Sequence, residues 1–189
     1  MAGVRIEGYV IVSAEGMLAN AEHVMPDELK FEGDKRFFTS ALDRADLIVH
    51  GKRSFEDQPN SPKRTRIVLT KTIGSVAADP TNPRATLWNP AGATFEAACQ
   101  QAGVERGTIA IIGGPGVFAM FLDRYDTFWL SQAPKVRIGN GEGCFPGVPA
   151  QTPQAILSAH GLKAGERQIL DAAHDVTVTA WTRSGRRTA

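Results

Sequence analysis

Length, composition and charge are those of a single globular domain. The chain has 189 residues, 42% of them hydrophobic, and a formal net charge of +1. Its bulk charge therefore indicates neither a nucleic-acid-binding protein nor one attracted to anionic membranes. Its two cysteines form no CxxC pair, and it shows neither a signal peptide nor an apolar run of roughly 18–20 residues that would span a membrane. We expect a cytoplasmic protein with reduced thiols, one domain over residues 1–182 and a flexible basic tail at 183–189.

Hydrophobic patterning in the first two thirds of the chain alternates strands with helices. Residues 9–12 form a nearly continuous apolar run, which is typical of a central strand covered on both faces. In residues 34–44 the apolar side chains recur at helical spacing, and Gly33 is expected to separate this helix from a helical turn at 25–29. The predicted strands lie at residues 4–13, 46–50, 66–70, 85–88 and 109–112, and the predicted helices at 25–29, 34–44, 94–102 and from 117 onward.

The last third of the chain has a different pattern. A strand is predicted at 126–132, and a glycine-rich loop over 135–149 follows it. Strands are then predicted at 155–163, 167–170 and 175–182, with no helix between them. Helices between strands imply right-handed crossovers and parallel pairing, whereas strands joined by turns imply antiparallel pairing. The predicted fold class is therefore α/β, with a mostly parallel central sheet flanked by helices and an antiparallel C-terminal hairpin.

Two glycine turns follow predicted strands and lead into predicted helices. The first is residues 51–56 (GKRSFE) and the second is residues 113–117 (GGPGV). Bare N–H groups at the start of a helix suit a phosphate, and ligands of open α/β sheets bind at the carboxyl edge where such turns lie. We expect a phosphorylated ligand there; the alternative is a pair of tight turns without a ligand.

Neither turn matches the two commonest nucleotide motifs. The Walker pattern GxxxxGK[ST] is absent, so phosphoryl transfer loses its main support. Residues 113–116 are not GxGxxG, they follow a late strand, and no acidic residue ends a strand about 20 residues further on. The sequence therefore favours a nucleotide site of another kind.

Five segments occur in the order and spacing of a known family. They are residues 12–19 (VSAEGMLA), 26–29 (PDEL), 49–54 (VHGKRS), 111–117 (IIGGPGV), and 130–131 (LS) with 145–146 (FP) after the glycine-rich loop. Over nearly the whole chain they resemble the dihydrofolate reductase superfamily, and most closely the reductase domain of the bifunctional riboflavin-biosynthesis deaminase/reductase. The resemblance implies a dihydrofolate reductase-like fold, NADPH as the cofactor, and reduction of a pterin or a pyrimidine.

The resemblance also implies a set of cofactor-binding residues. Lys52 or Arg53 would face the 2′-phosphate that separates NADP from NAD, with Lys71 as a further candidate; the alternative for the pair is a solvated surface. Ala14 and Leu18 would line the nicotinamide. The implied cofactor-binding residues are Ala14, Leu18, Gly51, Lys52, Arg53, Ser54, Leu69, Thr70, Lys71, Gly113, Gly114, Gly116 and Val117. No metal site is expected.

A catalytic carboxylate is implied as well. In dihydrofolate reductases a carboxylate on the first helix hydrogen-bonds the pterin and supports its protonation, and alignment on Pro26 and Leu29 puts Glu28 at that place. Partial burial would raise the pKa of such a carboxyl group, which suits an acid near neutral pH. The alternative is that Asp27 and Glu28 only complement a helix dipole.

Several departures from the family pattern affect the choice of substrate. The tryptophan that usually follows the active-site loop of dihydrofolate reductases is missing, the loop between Leu18 and Pro26 is short, and the deaminase signature H-x-E with P-C-x-x-C is absent. The leading hypothesis is therefore a stand-alone reductase of 5-amino-6-(5-phosphoribosylamino)uracil. Dihydrofolate reduction and a non-catalytic NADPH-binding module are the alternatives. The expected partner is a small molecule, not nucleic acid or membrane, and the final strand would support a homodimer.

Overall fold

A mixed β-sheet forms the centre of the protein, whose computed structural model describes residues 3–184. The strands in that part of the chain are β1 (Val4–Ser13), β2 (Met17–Ala19), β3 (Leu47–Gly51), β4 (Arg66–Leu69), β5 (Val76–Ala78), β6 (Ala85–Trp88), β7 (Gly107–Ile111), β8 (Thr127–Ala133), β9 (Glu142–Gly143), β10 (Leu162–Asp171) and β11 (Val176–Arg183). Nine of these described strands form one sheet in the order β10-β11-β8-β1-β7-β3-β4-β6-β5, and β2 pairs with β9.

Parallel pairing dominates the middle of this sheet. β1 lies between β7 and β8 and is parallel to both, and β3 is parallel to β4 and β7. The C-terminal hairpin of β10 and β11 is antiparallel and joins the sheet through β8. β1 has the predicted bounds, 4–13, and its burial on both faces fits its central position.

The helices in the described residues are α1 (Glu32–Arg44), α2 (Phe95–Gln101), α3 (Pro115–Met120) and α4 (Pro153–Ala159). Short 3₁₀ helices occur at Asp27–Leu29, Lys52–Ser54 and Ser61–Lys63, so the helical turn predicted at 25–29 reduces to one 3₁₀ turn. Across residues 3–184, no helix combines the length and the apolar character needed to cross a bilayer.

The strand predicted at 155–163 is wrong, because most of that segment is helix α4. Thr152 caps the helix by accepting a hydrogen bond from the Ala155 N–H, and Pro153 occupies its first turn. Both residues are standard helix-start signals. Ile156 and Leu157 are buried and belong to the hydrophobic core. The strand predicted at 167–170 is the second half of the longer strand β10.

Gly33 lies inside α1 and does not interrupt it as predicted. A Cβ atom at this position would collide with the backbone carbonyl of Leu170 in β10. Glycine is therefore tolerated in the first turn of the helix because it allows α1 and β10 to approach closely.

The first residue of the predicted flexible tail, Arg183, is bonded to the body of the protein. Arg183 belongs to β11, and its guanidinium donates hydrogen bonds to the carbonyl oxygens of Leu122, Tyr125 and His160 at 2.7–3.1 Å. These bonds tie the end of β11 to the turn between α3 and β8 and to the C-terminal end of α4. The rest of the predicted tail, from residue 185 onward, lies outside the described residues.

Parallel pairing brings the two glycine turns together. β3 and β7 are neighbours, so Gly51 and Gly113 end adjacent strands at the same edge. The Gly51 N–H donates a hydrogen bond of 2.8 Å to the Gly113 carbonyl. The two turns are thus joined directly at the carboxyl edge of the sheet.

Candidate functional site

A cavity of about 1350 Å³ opens at this carboxyl edge. Its walls come from β1 and β8, from the inner side of α1, and from the two glycine turns with the start of α3. Pockets for one small ligand span about 300–1,000 Å³. The cavity therefore has room for a large ligand, or for two ligands side by side.

Most of the cofactor-binding residues predicted from the sequence line this cavity. They are Leu18, Gly51, Lys52, Arg53, Ser54, Leu69, Thr70, Lys71, Gly114, Gly116 and Val117. Three predicted site residues lie outside the lining. These are Ala14, Gly113 and the predicted acid, Glu28.

Ala14 and Gly113 miss the cavity for different reasons. Ala14 is exposed beyond the end of β1, where its N–H donates to the Val136 carbonyl at 2.8 Å; Val10 and Ile11, earlier in the strand, line the cavity instead. Gly113 is buried and supports the turn from behind, with φ of 107° and a cis peptide bond to Gly114. A Cβ atom on Gly113 would press against the ring of Phe118, so glycine is required there.

One end of the cavity is built for an anion. Lys52, Arg53 and Lys71 line it, all three are exposed, and none forms an ion pair with another residue of the 3–184 range. α3 begins at Pro115, so the N–H groups of Gly116 and Val117 in its first turn have no intrahelical partner. A Cβ atom on Gly116 would meet only open space. Cations and free N–H groups around an open glycine turn fit phosphate.

A buried network holds the first glycine turn from below. Arg66, at 1% exposure, donates to the Glu56 carboxylate at 2.8 Å and to Nε2 of His50 at 3.1 Å. Because Arg66 can only donate, the second ring nitrogen of His50, Nδ1, carries the proton and donates to the Gly51 carbonyl at 2.8 Å. Burial lowers the pKa of His50 to about 4. The histidine is therefore neutral near pH 7 and fixes the turn through hydrogen bonds alone.

At the other end of the cavity, α1 contributes two carboxyl groups. That of Glu32 is exposed, and that of Asp34 is half-buried. Asp34 lies in the first turn of α1 and lines the cavity together with Ser131 of β8, the polar side chain that acts on its carboxyl group. Burial raises the pKa of Asp34 from 3.8 to about 6, and the Ser131 hydroxyl opposes part of that rise. A carboxyl group with such a pKa can hold a proton near neutral pH and give it to a ligand.

Glu28 does not occupy the half-buried place in the cavity that the sequence alignment predicts. It is exposed on the 3₁₀ turn Asp27–Leu29 and borders a separate, smaller groove. Lys30 and Phe31 are both non-helical, so the 3₁₀ turn that holds Glu28 is separated from α1, and a position counted from Pro26 falls before the helix. The missed signal is that Asp34 precedes Phe37, Phe38 and Ala41 at helical spacing, which puts a lone acid on an apolar face.

Aromatic side chains form the wall near Asp34. Tyr9 of β1 and Trp129 of β8 are direct cross-strand partners, with their rings stacked at 6.5 Å and 12°. Phe37 of α1 meets Trp129 edge-on at 5.4 Å. These three residues, named here the aromatic wall, all line the cavity. A planar ligand ring would pack against this wall.

Comparison with solved structures decides the fold. A dihydrofolate reductase from Enterococcus faecalis, complexed with NADP(H) and RAB-propyl, matches with a TM-score of 0.65 and 17% identity, over 96% of this chain and 97% of that chain. The fold is that of dihydrofolate reductase. A Shewanella sp. PV-4 protein assigned provisionally to riboflavin biosynthesis also matches, with a TM-score of 0.63 and 17% identity, over 98% of this chain and all of that chain.

The likeness to dihydrofolate reductase confirms the predicted α/β fold class, with its mostly parallel sheet and antiparallel C-terminal hairpin. No protein-family model and no curated protein sequence matches the chain. At 17% identity the structural matches establish the fold alone. The chemistry must therefore be argued from the residues that this chain places in the cavity.

Proposed function

We propose that the chain is an NADPH-dependent reductase that reduces a C=N bond of a nitrogen heterocycle or of a group attached to one. The observation that carries the proposal is the composition of a single cavity. A protonatable carboxyl group, Asp34, lies at one end, and exposed cations with an open glycine turn lie at the other. The carboxyl group would serve the hydride acceptor and the cations would serve a phosphorylated hydride donor, and the two molecules must meet in one cavity to react.

NADPH fits the anionic end. The N–H groups of Gly116 and Val117 would bind its pyrophosphate, and Lys52, Arg53 and Lys71 supply cations for the 2′-phosphate. The Thr70 hydroxyl, which is within 2.9 Å of the Thr72 hydroxyl, adds a polar group beside Lys71. When bound, NADPH would supply the hydride.

Asp34 supplies the proton that the same reaction requires. Reduction of C=N adds a hydride to carbon and a proton to nitrogen, so an acid must lie beside the nitrogen. With a pKa of about 6, Asp34 retains part of its proton near neutral pH. Ser131 lines the cavity beside Asp34 and partly offsets the rise in its pKa, and the aromatic wall would orient the ring of the substrate.

The proposed substrate is 5-amino-6-(5-phosphoribosylamino)uracil, with the hydride going to the ribosyl carbon. Its phosphate needs a cation at the substrate end, and Lys35 supports this assignment. Lys35 follows Asp34, lines the cavity, and has no ion-pair partner in the described part of the chain. Lys30, by contrast, is paired with Asp27 at 2.7 Å. A provisional riboflavin-biosynthesis protein among the structural matches agrees with the same substrate class.

The test is NADPH consumption by the purified full-length chain, followed as the loss of near-ultraviolet absorbance. The aminopyrimidine and dihydrofolate are offered in parallel, and NADPH binding is measured separately by titration. We expect turnover of the aminopyrimidine, and a higher KM for it in Lys35→Ala than in Lys163→Ala, a control at an exposed lysine on β10.

Three other outcomes would contradict the proposal, each in a different part. Turnover of dihydrofolate alone would make the chain a dihydrofolate reductase. NADPH binding without turnover of either compound would favour a non-catalytic cofactor-binding module. Failure to bind NADPH at all would refute the assignment of the anionic end.

A further inference from the structure

The aromatic wall is fixed from behind by a residue that does not itself line the cavity. Glu7 of β1 is 8% exposed and lies outside the cavity lining. Its Oε2 accepts hydrogen bonds from the Tyr9 hydroxyl at 2.5 Å and from Nε1 of Trp129 at 3.0 Å. Its Oε1 accepts from Nε of Arg5 at 2.7 Å. Both polar groups of the wall are thus bound to one carboxylate.

This arrangement determines what the wall presents to a ligand. Burial raises the pKa of Tyr9 well above its ordinary value, with the charge of Glu7 adding to the rise, so the hydroxyl remains a donor. Since the Tyr9 hydroxyl and the Trp129 N–H both point to Glu7, the wall offers ring surfaces and no free polar atom. Recognition at the wall is then by stacking, while Asp34 and Ser131 supply the hydrogen bonds.

A buried carboxylate is a costly way to stabilise a sheet. Apolar residues of similar volume often serve stability as well or better. The three donors around Glu7 compensate its burial and also restrict the two rings to one orientation. Tyr9 and Trp129 have no other hydrogen-bond partner for these groups within residues 3–184.

We propose that Glu7 is a positioning residue, which sets the orientation of Tyr9 and Trp129 and thereby the fit of a planar substrate ring. The inference rests on the proposed function for its substrate. It adds a determinant of ring fit that lies behind the cavity and touches neither substrate nor cofactor.

Two substitutions separate positioning from general stability. Glu7→Leu removes every acceptor and leaves two buried donors unpaired, whereas Glu7→Gln can keep its amide oxygen toward Tyr9 and Trp129. Asp46→Leu is the matched control. Asp46 is also a carboxylate acceptor, bonded by the Thr108 N–H at 2.8 Å, but it is exposed just before β3 and lies outside the cavity lining.

With NADPH and the aminopyrimidine, we expect Glu7→Leu to raise the KM for the aminopyrimidine by about 5- to 100-fold. The Kd for NADPH should remain within about twofold of wild type, since the wall is at the other end of the cavity. Glu7→Gln should restore most of the affinity, and Asp46→Leu should leave the KM unchanged. An unchanged KM in Glu7→Leu, or an equal rise in Asp46→Leu, would overturn the inference.

A second readout needs no turnover. In ¹H–¹⁵N spectra, the indole N–H signal of Trp129 should shift in Glu7→Leu, return in Glu7→Gln, and stay in place in Asp46→Leu. If the wild type reduces neither compound, the proposed function fails, and this spectral pattern then decides the inference; any other pattern overturns it.

Discussion

Asp34→Asn gives a sharp test of the acid, because stability and catalysis should change in opposite directions. The substitution keeps the shape of the side chain and its ability to bond Ser131, and it removes only the titration. The pKa of Asp34 is about 6 in the folded protein against an ordinary 3.8. Each pKa unit corresponds to about 1.4 kcal/mol. An ionised Asp34 therefore costs the folded state up to about 3 kcal/mol, less whatever residual solvent screening removes.

The sign of the effect follows from proton binding. Between pH 3.8 and about 6 the folded protein holds a proton on Asp34 that the unfolded chain has already released. The contribution of Asp34 to stability therefore falls as the pH rises through that window, and the full cost is present above it. In Asp34→Asn this fall disappears. The variant should match wild type near pH 4 and exceed it by up to about 3 kcal/mol at pH 7.5.

Urea unfolding of both proteins at pH 4 and pH 7.5 measures this difference directly. Asp43→Asn on the same helix is the control with the opposite sign. Its carboxylate bonds Arg64 at 2.6 Å and Asn60 at 3.2 Å, and these bonds lower its pKa. That variant should lose stability at pH 7.5. If Asp34→Asn shows no gain at pH 7.5, the raised pKa of Asp34 is wrong.

The kinetic half of the test uses the same variant. In wild type, kcat/KM should fall as the pH rises above about 6, because the acid ionises. Asp34→Asn should lower kcat/KM by about 10²- to 10⁴-fold and abolish that inflection. A variant that retains the inflection would show that another group provides the proton, and Asp34 would then lose its proposed role.

Two further substitutions test the cofactor end and the packing of α1. Lys71→Ala should raise the KM for NADPH by about tenfold and leave the KM for NADH unchanged, since only NADPH carries the 2′-phosphate. Lys135→Ala, at an exposed lysine outside the cavity, should change neither KM. An equal effect of Lys71→Ala on both cofactors would refute the assignment. Gly33→Ala should lower the melting temperature by several degrees, because its Cβ would meet the Leu170 carbonyl. Gly74→Ala, where a Cβ meets nothing within 4 Å, should not; similar melting temperatures for the two would contradict the close approach of α1 to β10.

The features that the sequence predicts well are those specified by local chemistry. β1 has its predicted bounds and contains the apolar run 9–12, and the glycine turns at 51 and 113 follow from residue type. Their joining, through the bond from the Gly51 N–H to the Gly113 carbonyl, follows from parallel pairing once both strands are recognised. Eleven of the residues predicted to bind the cofactor consequently line one cavity.

The features that the sequence did not predict depend on contacts between distant segments. Glu28 and Asp34 are six positions apart, and only the extended break before α1 decides which of them faces the cavity. Gly33 looks like a helix breaker until Leu170 of β10 is placed beside it. The role of Glu7 depends on Trp129, which is 122 residues away, so its local partner Tyr9 alone does not reveal it.

The contact at Gly33 limits how freely this protein can be recombined. α1 and the C-terminal hairpin are distant in sequence, yet the backbone of Gly33 in α1 lies directly against the backbone of Leu170 in β10. This contact is next to Asp34, the residue proposed as the acid. The hairpin is therefore not a detachable module. A chimera that exchanges β10 and β11 for those of another protein with this fold should keep its activity only if α1 is exchanged with them.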